Sequence, residues 1–274
     1  MDRQRWFEIH DQPWFPAFLR DLVTESLEAI WNANRTYHPI AGRLREAVRS
    51  SGADRIVDLC SGGGGPWAGL YHDVADGKAL AVCLTDFYPN ALVMEKNADA
   101  RITAWTQSVD ARQVPRELRG FRTIFSSFHH FDPEAARAML ADAFERREGI
   151  GVFEGATRHA WTLLALTAVP LLGFRAALAA RPLRWDRIFW SCVLPVVPAV
   201  LWIDGVLSCL RSYSVEDLRE LTRGLSAADY EWQLGDARGG PVAIRYLIGA
   251  PKAGTAPGER AVQEDVPPAS SLRS

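Results

Sequence analysis

A run of four glycines directly after a short apolar segment is the first place where this sequence can do chemistry. The letters I-V-D-L at 56–59 predict a buried strand, and Pro66 stands where a helix begins, because proline fits the first helical turn. Glycines between them let the backbone approach a ligand closely. Asp58 is a carboxylate inside the strand, which is costly without a partner. We expect a cationic ligand or the loop N–H groups to supply one. The predicted binding residues of this loop are Asp58, Ser61, Gly62, Gly63 and Gly64.

The elements that must position this loop alternate between strand and helix. Predicted strands at 55–59, 79–85, 102–109, 122–128 and 149–154 alternate with predicted helices at 66–74, 91–98 and 132–147. Such alternation predicts a parallel sheet with helices on both faces, and its ligands bind beyond the carboxyl ends of the strands. The candidate residues at these ends are Asp86, Phe87, Asp110, Ala111, Ser127, His129 and His130.

Two observations separate this pattern from an ordinary dinucleotide fold. A G-x-G-x-x-G fingerprint would place Trp67 at its third glycine, where close helix–strand packing needs a small residue. Two late β-runs, 230–234 and 242–248, are joined by a glycine-rich connection that leaves no room for a helix. They therefore predict an antiparallel hairpin that closes the sheet.

Taken together, these segments resemble the class I S-adenosylmethionine (SAM) dependent methyltransferases. V-D-L-C-S-G-G-G at 57–64 matches their motif I, V-D-L-G-S-G-x-G, with Cys60 in place of the first glycine, and F-S-S-F-H-H-F at 125–131 resembles their motif IV. The resemblance implies a Rossmann-like sheet, SAM as the cofactor and an adenine contact at the Asp110–Ala111 step. A carboxylate such as Asp86 can accept both ribose hydroxyls, a feature shared with NAD-binding folds.

The resemblance extends over most of the chain to a group of bacterial membrane-associated methyltransferases. Its four shared segments are D-Q-P-W-F-P at 11–16, D-L-C-S-G-G-G-G-P-W at 58–67, F-H-H-F at 128–131 and R-S-Y-S at 211–214. It implies the fold and the cofactor more firmly than the acceptor.

Methyl transfer is a displacement that depends on close positioning of donor and acceptor. We expect one histidine of the pair His129 and His130 to act near the acceptor, as a base or as a hydrogen-bond donor, and the other to be structural. Arg158 and His159 either pair with an acceptor carboxylate or begin a helix. O-methylation of a hydrophobic or amphipathic small molecule, with a carboxylic acid favoured, is the predicted reaction. A non-catalytic SAM-binding scaffold is the alternative.

An apolar insertion at 158–210 separates the predicted core from its hairpin. Its uncharged runs, 160–174 and 188–203, are interrupted by prolines, and each is shorter than the roughly 20 residues that a spanning helix needs. Two interpretations stay open. The insertion is either a monotopic anchor on the inner face of the cytoplasmic membrane, with tryptophans and the arginines of 175–187 at the interface, or a buried helical lid over the acceptor. Asp204 either faces the pocket or ends the segment in an Asp-Gly turn.

Composition bounds the remaining possibilities. The 274-residue chain has 48% hydrophobic residues and a net charge of −2, without the basic excess of a nucleic-acid-binding protein. No N-P-P-Y motif follows the fourth strand, which also disfavours methylation of nucleic acid. Four cysteines without C-x-x-C spacing indicate reduced thiols and no metal site, and the polar start predicts no secretory signal. The oligomeric state stays open.

The predicted organisation has five parts. Residues 1–50 form a helical cap, 51–157 form the SAM-binding core, and 158–210 form the insertion. In the cap, Trp14 and Tyr37 either line the cofactor mouth or pack in the core, and core packing is the favoured role. Residues 211–252 complete the core, and 253–274 form a disordered tail that is rich in Pro, Gly and Ser.

Overall fold

A computed structural model describes residues 3, 6–89 and 101–252. The predicted helix at 91–98 and the predicted tail at 253–274 lie outside these residues. The described α-helices are α1 (Ala17–Ala33), α2 (Ala41–Ser50), α3 (Trp67–Ala75), α4 (Pro133–Glu145), α5 (Ala160–Leu166), α6 (Val169–Ala179), α7 (Trp185–Ile188), α8 (Val196–Arg211) and α9 (Val215–Thr222). Short 3₁₀-helices at His38–Ile40 and Phe128–His130 and a π-helix at Phe189–Val193 accompany them. The described strands are β1 (Arg55–Leu59), β2 (Ala81–Leu84), β3 (Ile102–Ala104), β4 (Phe121–Phe125), β5 (Ile150–Glu154), β6 (Tyr230–Ala237) and β7 (Ile244–Pro251).

The strands of the described chain form one sheet in the order β3-β2-β1-β4-β5-β7-β6. The first five are parallel, and β7 lies antiparallel between β5 and β6. The predicted parallel sheet closed by an antiparallel hairpin is therefore confirmed. The strand order reverses between β1 and β4, so a crevice opens at the carboxyl ends of these two strands.

β3 and β4 end several residues before the ends that the sequence predicts. β3 ends at Ala104 instead of residue 109, and the Val109 N–H beyond it donates to the Asp86 carbonyl at 2.9 Å. β4 ends at Phe125, because Ser126 takes a left-handed φ of 45° that turns the chain out of the sheet. The histidine pair consequently lies on a 3₁₀-helix just beyond the strand.

Local sequence signals account for the helix starts. Asp132 caps α4 by accepting a hydrogen bond from the Ala135 N–H at 2.8 Å, and Ser214 and Asp217 form a complete capping box at the start of α9. Tyr37 packs in the core, as predicted. The prediction for Trp14 is wrong: its side chain is 67% exposed.

The insertion and the N-terminal cap form one helical layer. Leu22 and Val23 of α1 pack with Val197 and Leu201 of α8 in a separate apolar cluster, and each fully buried side chain of this kind stabilises the fold by about 1.5–3 kcal/mol. Arg187, expected at the surface, is buried instead, because its guanidinium binds the Glu25 carboxylate of α1 at 3.1 Å. The cap and the insertion therefore behave as one cover over the sheet.

The helices of the insertion are short and bent. Among the described residues, no single helix is long and apolar enough to cross a bilayer. Two bent pairs reach that length and apolar content when their helices are taken together: Ala160–Leu166 with Val169–Ala179, at 45°, and Trp185–Val193 with Val196–Arg211, at 65°.

Candidate functional site

The glycine loop follows β1 and packs against the cap. Cys60 adopts a left-handed φ of 57° at the position where motif I carries a glycine, and Gly62 has a φ of 53°. A Cβ added at Gly63 would lie 3.1 Å from the Thr24 carbonyl oxygen of α1. A side chain at this position would push α1 and the loop apart by a few tenths of an ångström.

Asp58 is buried beneath this loop, and its partners are hydroxyl groups. Thr123 Oγ1 donates to its carboxylate at 2.6 Å, and Ser61 Oγ donates at 2.8 Å. The described loop N–H groups do not bind this carboxylate, so that part of the sequence expectation is wrong. Burial raises the pKa of Asp58 from 3.8 to about 7, although both hydroxyls oppose the shift. Among the described residues, the contacts of Asp58 are with hydroxyl groups, and no cation offsets its burial.

Asp86 links the loop to the next two strand ends. Its carboxylate accepts hydrogen bonds from the N–H groups of Gly62 and Tyr88, each at 2.8 Å. The bond from Val109 N–H to the Asp86 carbonyl holds the neighbouring Asp110 segment at the same edge of the sheet. Burial raises the pKa of Asp86 above its usual value, and the backbone donors partly oppose this. This edge therefore offers a carboxylate next to a backbone turn, as a ribose site requires.

The other predicted residues of this edge differ in accessibility. Phe87 is half-exposed, and Ala111 is buried in the core. Arg112 forms a two-pronged hydrogen bond with the Asp110 carboxylate, which lowers the pKa of that carboxyl. An adenine contact at Asp110 would have to use the oxygen lone pairs that this arginine leaves accessible, or displace it.

A cavity of about 270 Å³ adjoins the glycine loop on the side of the cap and the insertion. The predicted residues that line it are Ser61, Gly62, Gly63, Ser127, His129 and His130. The predicted residues outside its lining are Asp58, Gly64, Asp86, Phe87, Asp110 and Ala111. The predicted residues therefore form two groups, those that line the cavity and those at the adjoining edge of the sheet. Gly62 belongs to both groups, because it lines the cavity and binds Asp86.

The cavity has an apolar side and a polar end. Its apolar side comes from α1 and the insertion, with Val23, Leu27, Leu166, Val169, Leu172 and Leu201. Its polar end comes from Glu8, His10, His129, His130 and Asp204. The insertion thus covers the cavity, as the lid interpretation requires. Asp204 lies inside α8 and faces this cavity, so the Asp-Gly turn interpretation is wrong.

His129 is held between two carboxylates in the polar end. Its Nδ1 lies 2.7 Å from Glu154 Oε2, and its Nε2 lies 3.1 Å from Glu8 Oε1. Burial lowers the pKa of His129, but the two carboxylates outweigh this and raise it from 6.5 to about 10. Because both ring nitrogens contact carboxylates, His129 has no unbonded nitrogen to act as a base in this arrangement, and its structural role stays a prediction.

His130 is the more accessible histidine. Its Nδ1 lies 2.5 Å from Asp11 Oδ2, and its Nε2 lies 3.7 Å from Glu8 Oε2. The ring keeps 21% of its surface exposed and borders the cavity. A role near an acceptor stays a prediction for this residue.

Sequence reasoning missed the N-terminal half of this polar end. Glu8, His10 and Asp11 precede the cap helix. Asp204 of α8 holds this segment: its carboxylate accepts from Ile9 N–H at 2.7 Å and from His10 N–H at 3.1 Å, and it lies 2.7 Å from His10 Nδ1. The D-Q-P-W-F-P segment at 11–16 was the available signal. Nothing in the sequence around Glu8 indicates its partners.

Arg158 and His159 are not at the site. Arg158 binds the Asp217 carboxylate at 3.1 Å, and His159 precedes α5 and lies 3.4 Å from Asp236 Oδ2. Neither belongs to the lining of the cavity. Their geometry fits the helix-start interpretation.

Comparison with known proteins establishes the fold. No family model matches this chain, and no curated protein matches it by sequence. The plantazolicin methyltransferase BpumL, solved in complex with SAH, superimposes with a TM-score of 0.50 at 8% identity, over 86% of this chain and 98% of that one.

Two further solved structures match more weakly. An O-methyltransferase family protein from Burkholderia thailandensis matches with a TM-score of 0.42 at 15% identity, over 79% of this chain and 56% of that one. Mitomycin 7-O-methyltransferase MmcR matches with a TM-score of 0.40 at 16% identity, over 78% of this chain and 53% of that one. The chain spans just over half the length of these two proteins. Its seven-stranded sheet and hairpin have the Rossmann-like architecture found in BpumL.

Proposed function

We propose that this chain is a SAM-dependent methyltransferase that methylates an oxygen of a hydrophobic or amphipathic small molecule at a membrane surface. The observation that carries the proposal is the junction at Gly62, whose N–H binds Asp86 at 2.8 Å while the same residue lines the covered cavity. A nucleoside bound at Asp86 would present its sulfonium end to the cavity across the glycine loop. The BpumL structure, which holds SAH on the same architecture, supports this proposal.

The charges at the polar end of the cavity favour some classes of acceptor over others. Four carboxylates, those of Glu8, Asp11, Glu154 and Asp204, belong to its hydrogen-bonded network, and Arg211 lies 3.5 Å from Glu8 Oε1. An anionic acceptor would be repelled by this excess of carboxylates. We therefore place a phenol or an alcohol ahead of the carboxylic acid that the sequence favoured. The apolar side of the cavity suits a hydrocarbon or aromatic body.

Replacement of Asp86 tests the cofactor site. Asp86→Ala removes an acceptor for two ribose hydroxyls, and we expect SAM affinity to fall about 100-fold, since hydrogen bonds to charged groups contribute about 1.5–3 kcal/mol each. Isothermal titration with SAM and with SAH measures the change. Asp73→Ala, which removes a carboxylate on α3 that pairs with Arg35, is the matched control. Equal SAM affinity in Asp86→Ala and wild type would refute this site.

A SAM-consumption screen identifies the reaction. Phenols, alcohols, carboxylic acids and lipids are offered in detergent, and the methylated product is located by mass spectrometry. Turnover with an oxygen acceptor supports the proposal. Tight SAM binding without turnover on any class would favour a non-catalytic SAM-binding scaffold.

The outer face of the insertion supports action at a membrane. Trp161, Leu164, Leu171 and Leu178 are exposed along α5 and α6, and Trp185, at 82% exposure, begins α7. Further exposed apolar side chains are Phe189, Val193, Leu194, Trp202 and Ile203. A patch of exposed apolar side chains that is concentrated in one segment is typical of a membrane or protein interaction surface.

The occupant we propose for this patch is a lipid bilayer. Tryptophans favour the headgroup level of a membrane, and the exposed Arg175 and Arg181 lie among these apolar residues where they can meet anionic lipid. All four cysteines are free thiols, which is compatible with the inner face of the cytoplasmic membrane. A buried lid without a membrane contact, or a second copy of the chain on the patch, is the alternative that the next experiment separates.

Vesicle binding tests this surface. We expect the double variant Leu171→Asp, Leu178→Asp to bind phosphatidylglycerol-containing vesicles at least tenfold more weakly, because two apolar side chains that each contribute about 1.5–3 kcal/mol become charged. Arg219→Asp on α9 changes the net charge by the same two units away from the patch and is expected to bind like wild type. Co-sedimentation measures binding, and analytical ultracentrifugation measures self-association. A wild-type monomer that ignores vesicles, or a dimer that the double variant abolishes, would contradict the membrane proposal.

A further inference from the structure

The polar end of the cavity contains three side chains whose potential metal-ligand atoms converge. Glu8, His129 and His130 each offer one atom, and these atoms lie within 4.8 Å of one another. The His129 Nε2 to Glu8 Oε1 distance is 3.1 Å, and the His130 Nε2 to Glu8 Oε2 distance is 3.7 Å. Two ligands on one tetrahedral zinc ion are separated by about 3.4 Å, given metal–ligand bonds near 2.0–2.2 Å. Small side-chain shifts would therefore bring all three onto one ion.

The Nδ1 atoms of both histidines lie next to carboxylates, as is common in metal-ligating histidines. His129 Nδ1 lies 2.7 Å from Glu154, and His130 Nδ1 lies 2.5 Å from Asp11. A metal-ligating histidine commonly donates its second ring N–H to a carboxylate, which fixes the tautomer and orients the metal-binding nitrogen. Here two adjacent histidines have the same arrangement, and both direct Nε2 to the same carboxylate.

The negative charge of the surrounding carboxylates also favours the binding of a cation. The network contains the carboxylates of Glu8, Asp11, Glu154 and Asp204, and Arg211 is a permanent positive charge that contacts two of them, Glu8 at 3.5 Å and Asp11 at 3.9 Å. Buried charges are stable when they are paired or when they coordinate a metal. A dication bound by the two Nε2 atoms would supply two positive charges to this cluster and keep both Nδ1 contacts with carboxylates.

We propose that Glu8, His129 and His130 bind one divalent transition-metal ion of the zinc type, with an open position toward the cavity. Two imidazoles and one carboxylate form a ligand set known for catalytic zinc and for non-haem iron, and imidazole disfavours magnesium. The ion is held by the N-terminal segment and the 3₁₀-helix together. Ion binding is independent of the proposed function, whereas contact between the ion and an acceptor oxygen rests on it.

Metal analysis of untagged protein tests the site without any assay of turnover. After chelator treatment, we expect the chain to take up one zinc ion with micromolar or tighter affinity in a competition titration, and to develop visible ligand-field bands with cobalt. Glu8→Gln and His130→Ala are each expected to weaken zinc binding by more than about 100-fold, and Asp11→Asn by about 10–100-fold. His72→Ala removes an exposed histidine on α3 and is expected to bind like wild type.

The results of these titrations either support or overturn the proposed metal site. Stoichiometric zinc and a cobalt spectrum in wild type, both lost in Glu8→Gln, support it. No zinc uptake by wild type, equal uptake by Glu8→Gln, or magnesium bound as tightly as zinc overturns it. Circular dichroism identifies any variant that fails to fold, and the cobalt spectrum of the wild-type chain needs no variant. Zinc binding with no methyltransferase activity would leave this site intact and refute only the proposed function.

Discussion

The cofactor-free Asp58→Asn variant is expected to be more stable than wild type by about 4 kcal/mol above pH 7. The pKa of Asp58 is about 7 in the folded chain and 3.8 in the reference state, and each pKa unit corresponds to about 1.4 kcal/mol. The folded state therefore binds the extra proton between these values, and wild-type stability falls as pH rises from about 4 to about 7. Asparagine has no charge to bury, so its advantage vanishes near pH 4.

Urea denaturation at several pH values measures this difference. Asp54→Asn, an exposed carboxylate just before β1, is the control and is expected to change stability by less than about 0.5 kcal/mol. A pH-independent difference between Asp58→Asn and wild type would contradict the buried protonated carboxyl.

The same substitution is expected to weaken SAM binding by at least tenfold. A cationic ligand beside the glycine loop favours the ionised form of Asp58, so we expect wild-type affinity for SAM to rise with pH through about 7. Asp58→Asn should lose that rise. Binding titrations at pH 6 and pH 8 separate this linked effect from simple damage to the loop, which would lower affinity equally at both.

Asp204→Ala is expected to release the N-terminal segment from the cavity. Its carboxylate binds two backbone N–H groups and the His10 ring, and it is 4% exposed. Loss of these bonds leaves buried donors without a partner, at a cost of about 3–5 kcal/mol. We expect proteolysis within residues 6–16 to accelerate at least tenfold, as measured by mass spectrometry.

Asp229→Ala provides the comparison for this variant. Asp229 is a partly exposed carboxylate 3.2 Å from Arg147, and loss of such a surface pair is expected to cost less than about 1 kcal/mol. Equal protease resistance of wild type and Asp204→Ala would mean that other contacts hold the segment in place.

Local signals in the sequence were sufficient to predict the glycine loop, the helix starts and the hairpin. The proline and glycines around Gly62, the Asp132 cap and the Ser214 capping box act over a few residues, so their structures follow from neighbouring letters. The hairpin was predictable because its short connection excludes a helix. Even the departure at Cys60 kept the left-handed conformation that motif I assigns to glycine.

The partners of charged residues were not predictable, because they come from distant parts of the chain. Thr123, which binds Asp58, is 65 residues away from it, and Glu8 is 121 residues away from His129. No periodicity or spacing connects such positions. The prediction of no metal site was based on the spacing of the cysteines. It did not consider Glu8, His129 and His130, which come together only in the folded chain.

The contact between Ile9 and Asp204 joins positions that are 195 residues apart. Contacts of this separation form late, because the intervening chain must fold first. During synthesis the chain folds from its N-terminus, so residues 6–11 would leave the ribosome long before α8 exists to bind them. The parallel strands can pair in that interval. The part of the cavity wall that residues 6–11 and α8 form together cannot. A nascent or truncated chain that ends before Asp204 would therefore lack a closed cavity, so any ligand of this cavity can bind only late in synthesis.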